Sequence, residues 1–278
     1  MADALLQAKD LVVGYGGRSS AFGRRRAVTP VIKGVSLTLE RGEAVGIVGE
    51  SGSGKTTLGR ALLGLVGPVS GSVIFDGIDI TQLDEGAMRP LRRRMQMIFQ
   101  DPMSSLNPRH TIRRILTAPL LLHRVARTAR DADGLAATTL DRVGLPTAAL
   151  ERYPHELSGG QRQRVGIARA VMLKPDFVLA DEIVSGLDVS TQAQVLRLIG
   201  DLSREMGLAM AFISHDLSVI RAVCDRVLVL HQGEVVEEGA CAKVFAAPQS
   251  PYTRSLIDAI ALPVPDPQWL ARVPESAA

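Results

Sequence analysis

Two cysteines, Cys224 and Cys241, are all that 278 residues contain, and no CxxC spacing relates them. A disulfide framework or thiolate metal cluster is therefore ruled against. Each thiol reads as a small core or surface residue in a reducing cytoplasm. Long apolar runs are missing too. The apolar stretches are short and broken by charge or glycine, and none approaches the roughly 20 residues that span a bilayer. The opening Met1-Ala2-Asp3-Ala4 lacks the basic start and apolar stretch of a secretory signal, so a cytoplasmic chain is expected. An excess of one charge is also absent, since 32 Lys+Arg against 29 Asp+Glu leave a net +3. That balance argues against a nucleic-acid partner. Two short basic runs, Arg24-Arg25-Arg26 and Arg92-Arg93-Arg94, read as solvated loop or helix faces, with a headgroup or nucleic-acid contact as the lesser alternative. No repeat or low-complexity block is present. With 46% apolar and 22% charged residues, the composition is that of a globular chain able to bury a substantial core.

What the chain does have is rhythm. Ala44–Val48, Phe177–Ala180, Leu208–Ile213 and Val227–Leu230 are nearly continuous apolar runs, the pattern of strands buried on both faces. Separated by helical stretches, they predict a mostly parallel sheet in an α/β fold. Leu5 to Tyr15 and Val31 to Glu40 resemble half-buried antiparallel strands, with a Gly-, Ser- and Arg-rich loop over residues 16–30 between them. From Asp101 to Leu157 strand signals vanish. Ala, Leu and Arg accumulate between Thr111 and Leu150, with Pro119, Gly144 and Pro146 as breaks, which predicts a helical insertion. After Gln249, Pro251, Pro263, Pro265, Pro267 and Pro274 mark an irregular peripheral tail.

The sharpest local signal is Gly49-Glu50-Ser51-Gly52-Ser53-Gly54-Lys55-Thr56-Thr57, which satisfies GxxxxGK[ST] between the Ala44–Val48 strand and a helical run over Thr57 to Leu65. Glycines let the backbone curl until several N–H groups face phosphate oxygens, and the helix start adds its dipole. Lys55 is placed to reach the β- and γ-phosphates of ATP, and Thr56 to put its hydroxyl on Mg²⁺. Phe177-Val178-Leu179-Ala180-Asp181-Glu182 supplies the acids such a site needs, at the carboxyl end of a buried strand where parallel sheets bind ligands. Asp181 suits the metal shell and Glu182 the polarisation of an attacking water.

Leu157-Ser158-Gly159-Gly160-Gln161, followed by Arg162-Gln163-Arg164-Val165, resembles the signature motif of ABC ATPases. The resemblance extends to further elements in the family's order. Tyr15 is similar to the aromatic that stacks on adenine, and Gln100 to the glutamine that contacts Mg²⁺ and water. Ser185-Gly186-Leu187-Asp188 is similar to the D-loop that crosses between subunits, and His215 to the switch histidine that contacts the γ-phosphate. This resemblance implies a P-loop NTPase (RecA-like) core with an N-terminal antiparallel β subdomain and an α-helical insertion. The ATPase domain spans about residues 1–262, its helical subdomain about 101–165, and the tail 263–278. The resemblance also implies two such domains packed head to tail around ATP, so that Ser158, Gly159, Gly160, Gln161 and Asp188 serve the nucleotide of a partner chain.

Asp101-Pro102-Met103-Ser104-Ser105-Leu106-Asn107-Pro108-Arg109 and Ser250-Pro251-Tyr252-Thr253-Arg254-Ser255-Leu256 resemble segments of the oligopeptide, dipeptide and nickel importer branch, as does the 16–30 loop. That branch implies a related second ATPase, two integral-membrane permeases and, indirectly, a substrate-binding protein, at the cytoplasmic face of the membrane. The chain departs from the family in having Ile183 after Glu182, where proline is usual, and Ser250 where the branch has histidine. A cysteine-rich cluster found in some relatives is missing, so no iron–sulfur site is implied. Other functions open to such ATPases are a phosphonate-cleaving complex, DNA repair or ribosome work, and a non-catalytic regulatory role. Long coiled-coil insertions and fused second units are absent, and Lys55, Gln100, Asp181, Glu182 and His215 are all present, which favours an active transport ATPase.

Overall fold

The computed structural model describes residues 4–16 and 29–259. Most of the 16–30 loop, the Arg24–Arg26 run and the tail from residue 260 lie outside them, while the stretch after Gln249, expected to be irregular, opens on a helix over Pro251–Asp258, because proline fits the first turn of a helix. In chain order the strands are β1 (Ala4–Tyr15), β2 (Thr29–Glu40), β3 (Ala44–Val48), β4 (Ser70–Phe75), β5 (Ile78–Asp79), β6 (Met95–Ile98), β7 (Phe177–Asp181), β8 (Ala209–Ile213), β9 (Arg226–His231) and β10 (Glu234–Ala240). The helices are α1 (Lys55–Leu62), α2 (Glu85–Arg94), α3 (Pro102–Ser105), α4 (Ile112–Leu122), α5 (Ala129–Arg142), α6 (Gly159–Val171), α7 (Val189–Met206), α8 (Leu217–Val223), α9 (Cys241–Ala246) and α10 (Pro251–Asp258).

Two sheets form. A four-stranded antiparallel sheet runs β2-β1-β4-β5, and a six-stranded sheet runs β10-β9-β3-β8-β7-β6, parallel except for β10. Because side chains alternate along a strand, the six-stranded sheet separates two cores. Ile47, Leu179, Ala211 and Leu228 point into one, shared with the antiparallel sheet and α1. Val48, Val178, Phe212 and Val229 point into the other, shared with α6, α7, α8 and the helices of residues 102–142. That double burial is why the four runs read as continuous apolar strands.

Between β6 and β7 lie only helices α3 to α6 and two 3₁₀ turns, Thr147–Glu151 and Pro154–Glu156. Pro119 does not break this region as expected. It sits inside α4, less than one turn from the helix end at Leu122, and apolar packing of Ile115, Leu116 and Leu120 holds the segment. Gly144 does end α5, at φ 71°.

The Arg92–Arg94 run also differs from its reading as a solvated face. Arg92 donates to the Leu63 carbonyl at 2.6 Å and pairs with Glu85, and Arg93 donates to the Leu173 carbonyl. Arg94 bridges Asp76 and Asp176 at 2.6 and 2.5 Å and lies over the Phe75 ring. These guanidinium groups fasten α2 to its neighbours.

Candidate functional site

The carboxyl ends of β3, β6, β7 and β8 converge, as the parallel register demands, and each delivers one part of the site. From β3 the chain turns through Gly49–Gly54 into α1. Gly49 has φ +150°, and a Cβ there would stand 2.1 Å from the Leu230 carbonyl oxygen of β9, so only glycine fits. Gly54, at φ +104°, is the N-cap of α1. Lys55 is buried, and its Nζ donates to the carbonyls of Gly49 at 2.8 Å and Glu50 at 2.7 Å. Burial lowers its pKa, against the opposing fields of Glu182, Asp181 and Glu50.

Asp181 closes β7 and is only 4% exposed. The Thr56 hydroxyl donates to its carboxylate at 3.3 Å. Burial pushes the Asp181 carboxyl above its ordinary range, the Thr56 bond opposes this, and the Glu182 charge adds to the rise. The next residue turns sharply: Glu182 has φ +45°, and its N–H donates to the Ile213 carbonyl at 2.9 Å. This left-handed step re-aims the Glu182 carboxylate away from the strand direction. Gln100, just past β6, donates to Glu182 Oε2 at 2.8 Å. His215, just past β8, brings Nδ1 to 3.4 Å from Glu182 Oε1. Ile183 then buries its side chain in the helical-side core and anchors the turn.

Lys55, Thr56, Gln100, Asp181, Glu182 and His215 are thus gathered in one place. Tyr15, the last residue of β1, is 51% exposed at the edge of the site, its hydroxyl 3.4 Å from Thr57 Oγ1. The donor set of Thr56 hydroxyl, Asp181 carboxylate and Gln100 amide is hard and oxygen-rich, the chemistry Mg²⁺ accepts. Among the described residues no cluster of three or more His, Cys, Asp or Glu forms a metal cage. A carboxylate already strained by burial is relieved by a neighbouring cation, so Asp181 fits that ion.

The second expected group lies elsewhere. Ser158 N-caps α6 in a reciprocal capping box: its hydroxyl accepts the Gln161 N–H at 3.3 Å, while Gln161 Oε1 accepts the Ser158 N–H at 3.0 Å. Asp188 N-caps α7, accepting from the Thr191 N–H at 3.0 Å and from the hydroxyls of Ser190 and Thr191. These bonds hold its carboxyl far below the usual range. The two caps touch, since a Cβ on Gly160 would meet Thr191 Cγ2 at 2.6 Å. No hydrogen bond or ion pair joins Ser158–Gln161 to the Gly49–Thr57 loop among the described residues.

Two further side chains at the site escaped the sequence reading. The Tyr252 hydroxyl accepts the Glu50 N–H at 3.0 Å from 202 positions away. Arg169 of α6 donates to the Ser105 carbonyl and lies 5.6 Å over the Phe99 ring, tying the Gln100 loop to the helix that Ser158 begins. Tyr252 lies in the 250–256 segment that resembles the importer branch, but that pattern assigns it no place at the site, and Arg169 carries no local pattern that marks it.

The sequence profile of the ABC transporter family matches residues 32–185. A Brucella ovis protein provisionally named a peptide import ATP-binding protein is 50% identical over 250 residues, covering 90% of this chain and 78% of that one. The glutathione import ATP-binding protein of Pectobacterium atrosepticum is 48% identical over 266 residues, which is 96% of this chain and 42% of the relative. The dimeric structure of an ATP-binding cassette in a post-hydrolysis state, bound to ADP and Pi, superposes with a TM-score of 0.75 at 30% identity, over 85% of this chain and 98% of the other. Phosphate loop, strand-end acids and capped signature helix fall inside or beside the matched span, and the chain belongs to the ABC transporter family as one of its ATP-binding proteins.

Proposed function

We propose that this chain is the ATPase subunit of a peptide importer, hydrolysing ATP at a site that a second ATPase subunit completes. The observation that carries the catalytic reading is the Glu182 carboxylate, held between Gln100 and His215 beside the Lys55 loop. Glu182 is the general base that polarises water, and Gln100 and His215 hold that water and carboxylate in line. Lys55 and the N–H groups of the Gly49–Thr57 loop other than that of Glu50, which donates to Tyr252, cradle the β- and γ-phosphates, and exposed Tyr15 stacks on adenine. Thr56, Asp181 and Gln100 hold Mg²⁺, which when bound neutralises charge on the phosphate oxygens.

The separation of Ser158–Gln161 and Asp188 from the phosphate loop supports a head-to-tail dimer, in which each signature helix start faces the other subunit's nucleotide. The likeness to a dimeric cassette adds to this. The resemblance of residues 16–30 to one ATPase of paired importers favours a related, different chain as partner. An open groove of ≈ 710 Å³ bordered by Leu65, Met97, Phe99, Ile115, Leu122 and Leu173 is the docking surface for a permease segment. It adjoins the Gln100 loop, so occupancy of the groove and the position of Gln100 are coupled through Arg169. No described helix is long and apolar enough to cross a membrane. Likeness to import ATP-binding proteins supports a peripheral subunit at the cytoplasmic face that relies on two permeases and a substrate-binding protein. Relatives named for peptide and glutathione import favour peptide-like cargo over nickel. The segment 101–165 acts as the helical subdomain that moves against the rest of the 1–262 ATPase domain.

The test is phosphate release and association state of Glu182→Gln with Mg-ATP, alone and with the companion ATPase. Turnover falls by about 10²–10⁴, while nucleotide binding persists and an ATP-dependent dimer accumulates. Wild-type turnover in the variant removes Glu182 as the base.

A further inference from the structure

We propose that Tyr252 is a positioning residue for the phosphate loop, coupling the C-terminal helix to nucleotide affinity. The inference deepens the nucleotide-site reading above and rests on it. One peptide unit, between Gly49 and Glu50, is held at both ends. Its carbonyl accepts from Lys55 Nζ at 2.8 Å, and its N–H donates to the Tyr252 hydroxyl at 3.0 Å. The Tyr252 bond therefore sets the tilt of the plane whose other end holds the lysine that meets the phosphates. Bonds in series polarise one another, so the two reinforce each other.

The tyrosine is itself built in from two sides. Its ring stacks on His231, the last residue of β9, at 3.9 Å between centroids and 18° between planes. The start of α10 is fixed by Glu237 of β10, whose two carboxylate oxygens accept the N–H groups of Gln249 at 2.8 Å and Ser250 at 3.0 Å. Burial alone would raise the Glu237 carboxyl; the Gln249 and Ser250 N–H donors, together with Thr253 and the Arg254 charge, outweigh it and hold the group low. The same β9 end supplies the Leu230 carbonyl against which Gly49 is pressed. β9, β10 and α10 together form a bracket that orients the loop before ATP arrives. Such preorganisation lowers the ordering cost of binding.

Tyr252→Phe keeps the stacked ring and deletes only the acceptor. It weakens Mg-ATP binding to the full-length chain, measured by calorimetry, by about two- to tenfold, the worth of one hydrogen bond. Amide exchange of the peptide covering residues 49–55 quickens, while exchange in β7 and β8 and the melting temperature of the ligand-free protein stay as in wild type. Unchanged affinity and unchanged exchange at 49–55 overturn the proposal, and so does a general rise in exchange with a lower melting temperature, which makes Tyr252 fold support only. Lys55→Ala, run in parallel, separates the two readings. If it abolishes Mg-ATP binding while Tyr252→Phe does nothing, only the role of Tyr252 fails; if Lys55→Ala binds Mg-ATP like wild type, the nucleotide site itself is misplaced and both fall.

Discussion

At the scale of single residues, the site stores charge where the fold alone would not want it. Asp181 is buried beside Glu182, and its carboxyl is raised chiefly by desolvation. A carboxyl whose folded pKa exceeds its unfolded value binds its proton more tightly in the native state. Stability then falls as pH rises from the ordinary carboxylate pKa through the raised folded value, and the penalty stays in place above it. Asp181→Asn removes that penalty while keeping an oxygen for the Thr56 hydroxyl. The ligand-free variant accordingly melts higher than wild type at neutral pH, and the difference shrinks towards zero in acid below the ordinary carboxylate pKa. Mg²⁺ no longer strengthens its ATP binding. Thermal melts across pH, with and without Mg-ATP, check both halves. A variant less stable than wild type at pH 7 contradicts the reading of Asp181 as strained. Stability given up at a residue proposed to hold Mg²⁺ is the expected trade.

At the scale of elements, helix starts carry the design. The starts of α1, α6 and α7 each expose N–H groups, but only that of α1 faces the gathered acids and lysine. Those of α6 and α7 are capped by Ser158 and Asp188 and lean on each other through Gly160 and Thr191. A side chain at position 160 must push Thr191 aside, and Thr191 is itself a donor to Asp188. Gly160→Ala therefore disturbs both caps at once, at about 1–3 kcal/mol for a small overpacked site. Turnover in the assembled pair of ATPases drops at least tenfold, while the isolated chain binds Mg-ATP with wild-type affinity, since the phosphate loop is bonded to neither cap. Equal loss of monomer binding shows instead that the two groups communicate within one chain.

At the scale of the whole molecule, one sheet separates two cores, and the site sits at the edge where both meet. The antiparallel sheet and α1 hold Tyr15 and the phosphate loop, whereas the helical side holds the signature start and Arg169. On the proposed reading, a single chain thus displays two halves of a nucleotide site that do not touch. Val189, at the start of α7 next to Asp188, is 83% exposed, an apolar side chain with little to cover it in the isolated chain. Val189→Asp places a carboxylate in the first turn of a helix, where the dipole tolerates it. Its melting temperature matches or exceeds wild type, yet the ATP-dependent dimer formed in the Glu182→Gln background weakens by at least tenfold in sedimentation. An unweakened dimer places the interface elsewhere.

The buried strands, the phosphate loop and the family are legible along the chain. Runs such as Val45–Val48 and Phe177–Ala180 are apolar because both faces are covered, and glycines at 49 and 54 are dictated by backbone conformations open to little else. Both are local constraints and therefore leave local marks. The weak strands were not legible. β10 has paired valines and paired glutamates with no apolar–polar alternation, though its residues alternate between exposed and half-buried at the sheet edge, and β4 and β6 are too short or too rich in serine and glutamine to signal themselves. Tertiary structure alone decided how Glu182 turns out of its strand at φ +45° to meet Gln100 and His215. It alone turned the Arg92–Arg94 run into a set of internal fasteners and brought Tyr252 to Glu50. The Gln100–Glu182 and Tyr252–Glu50 bonds join residues 82 and 202 positions apart, and a one-dimensional pattern carries no distance between elements until the sheet order sets it.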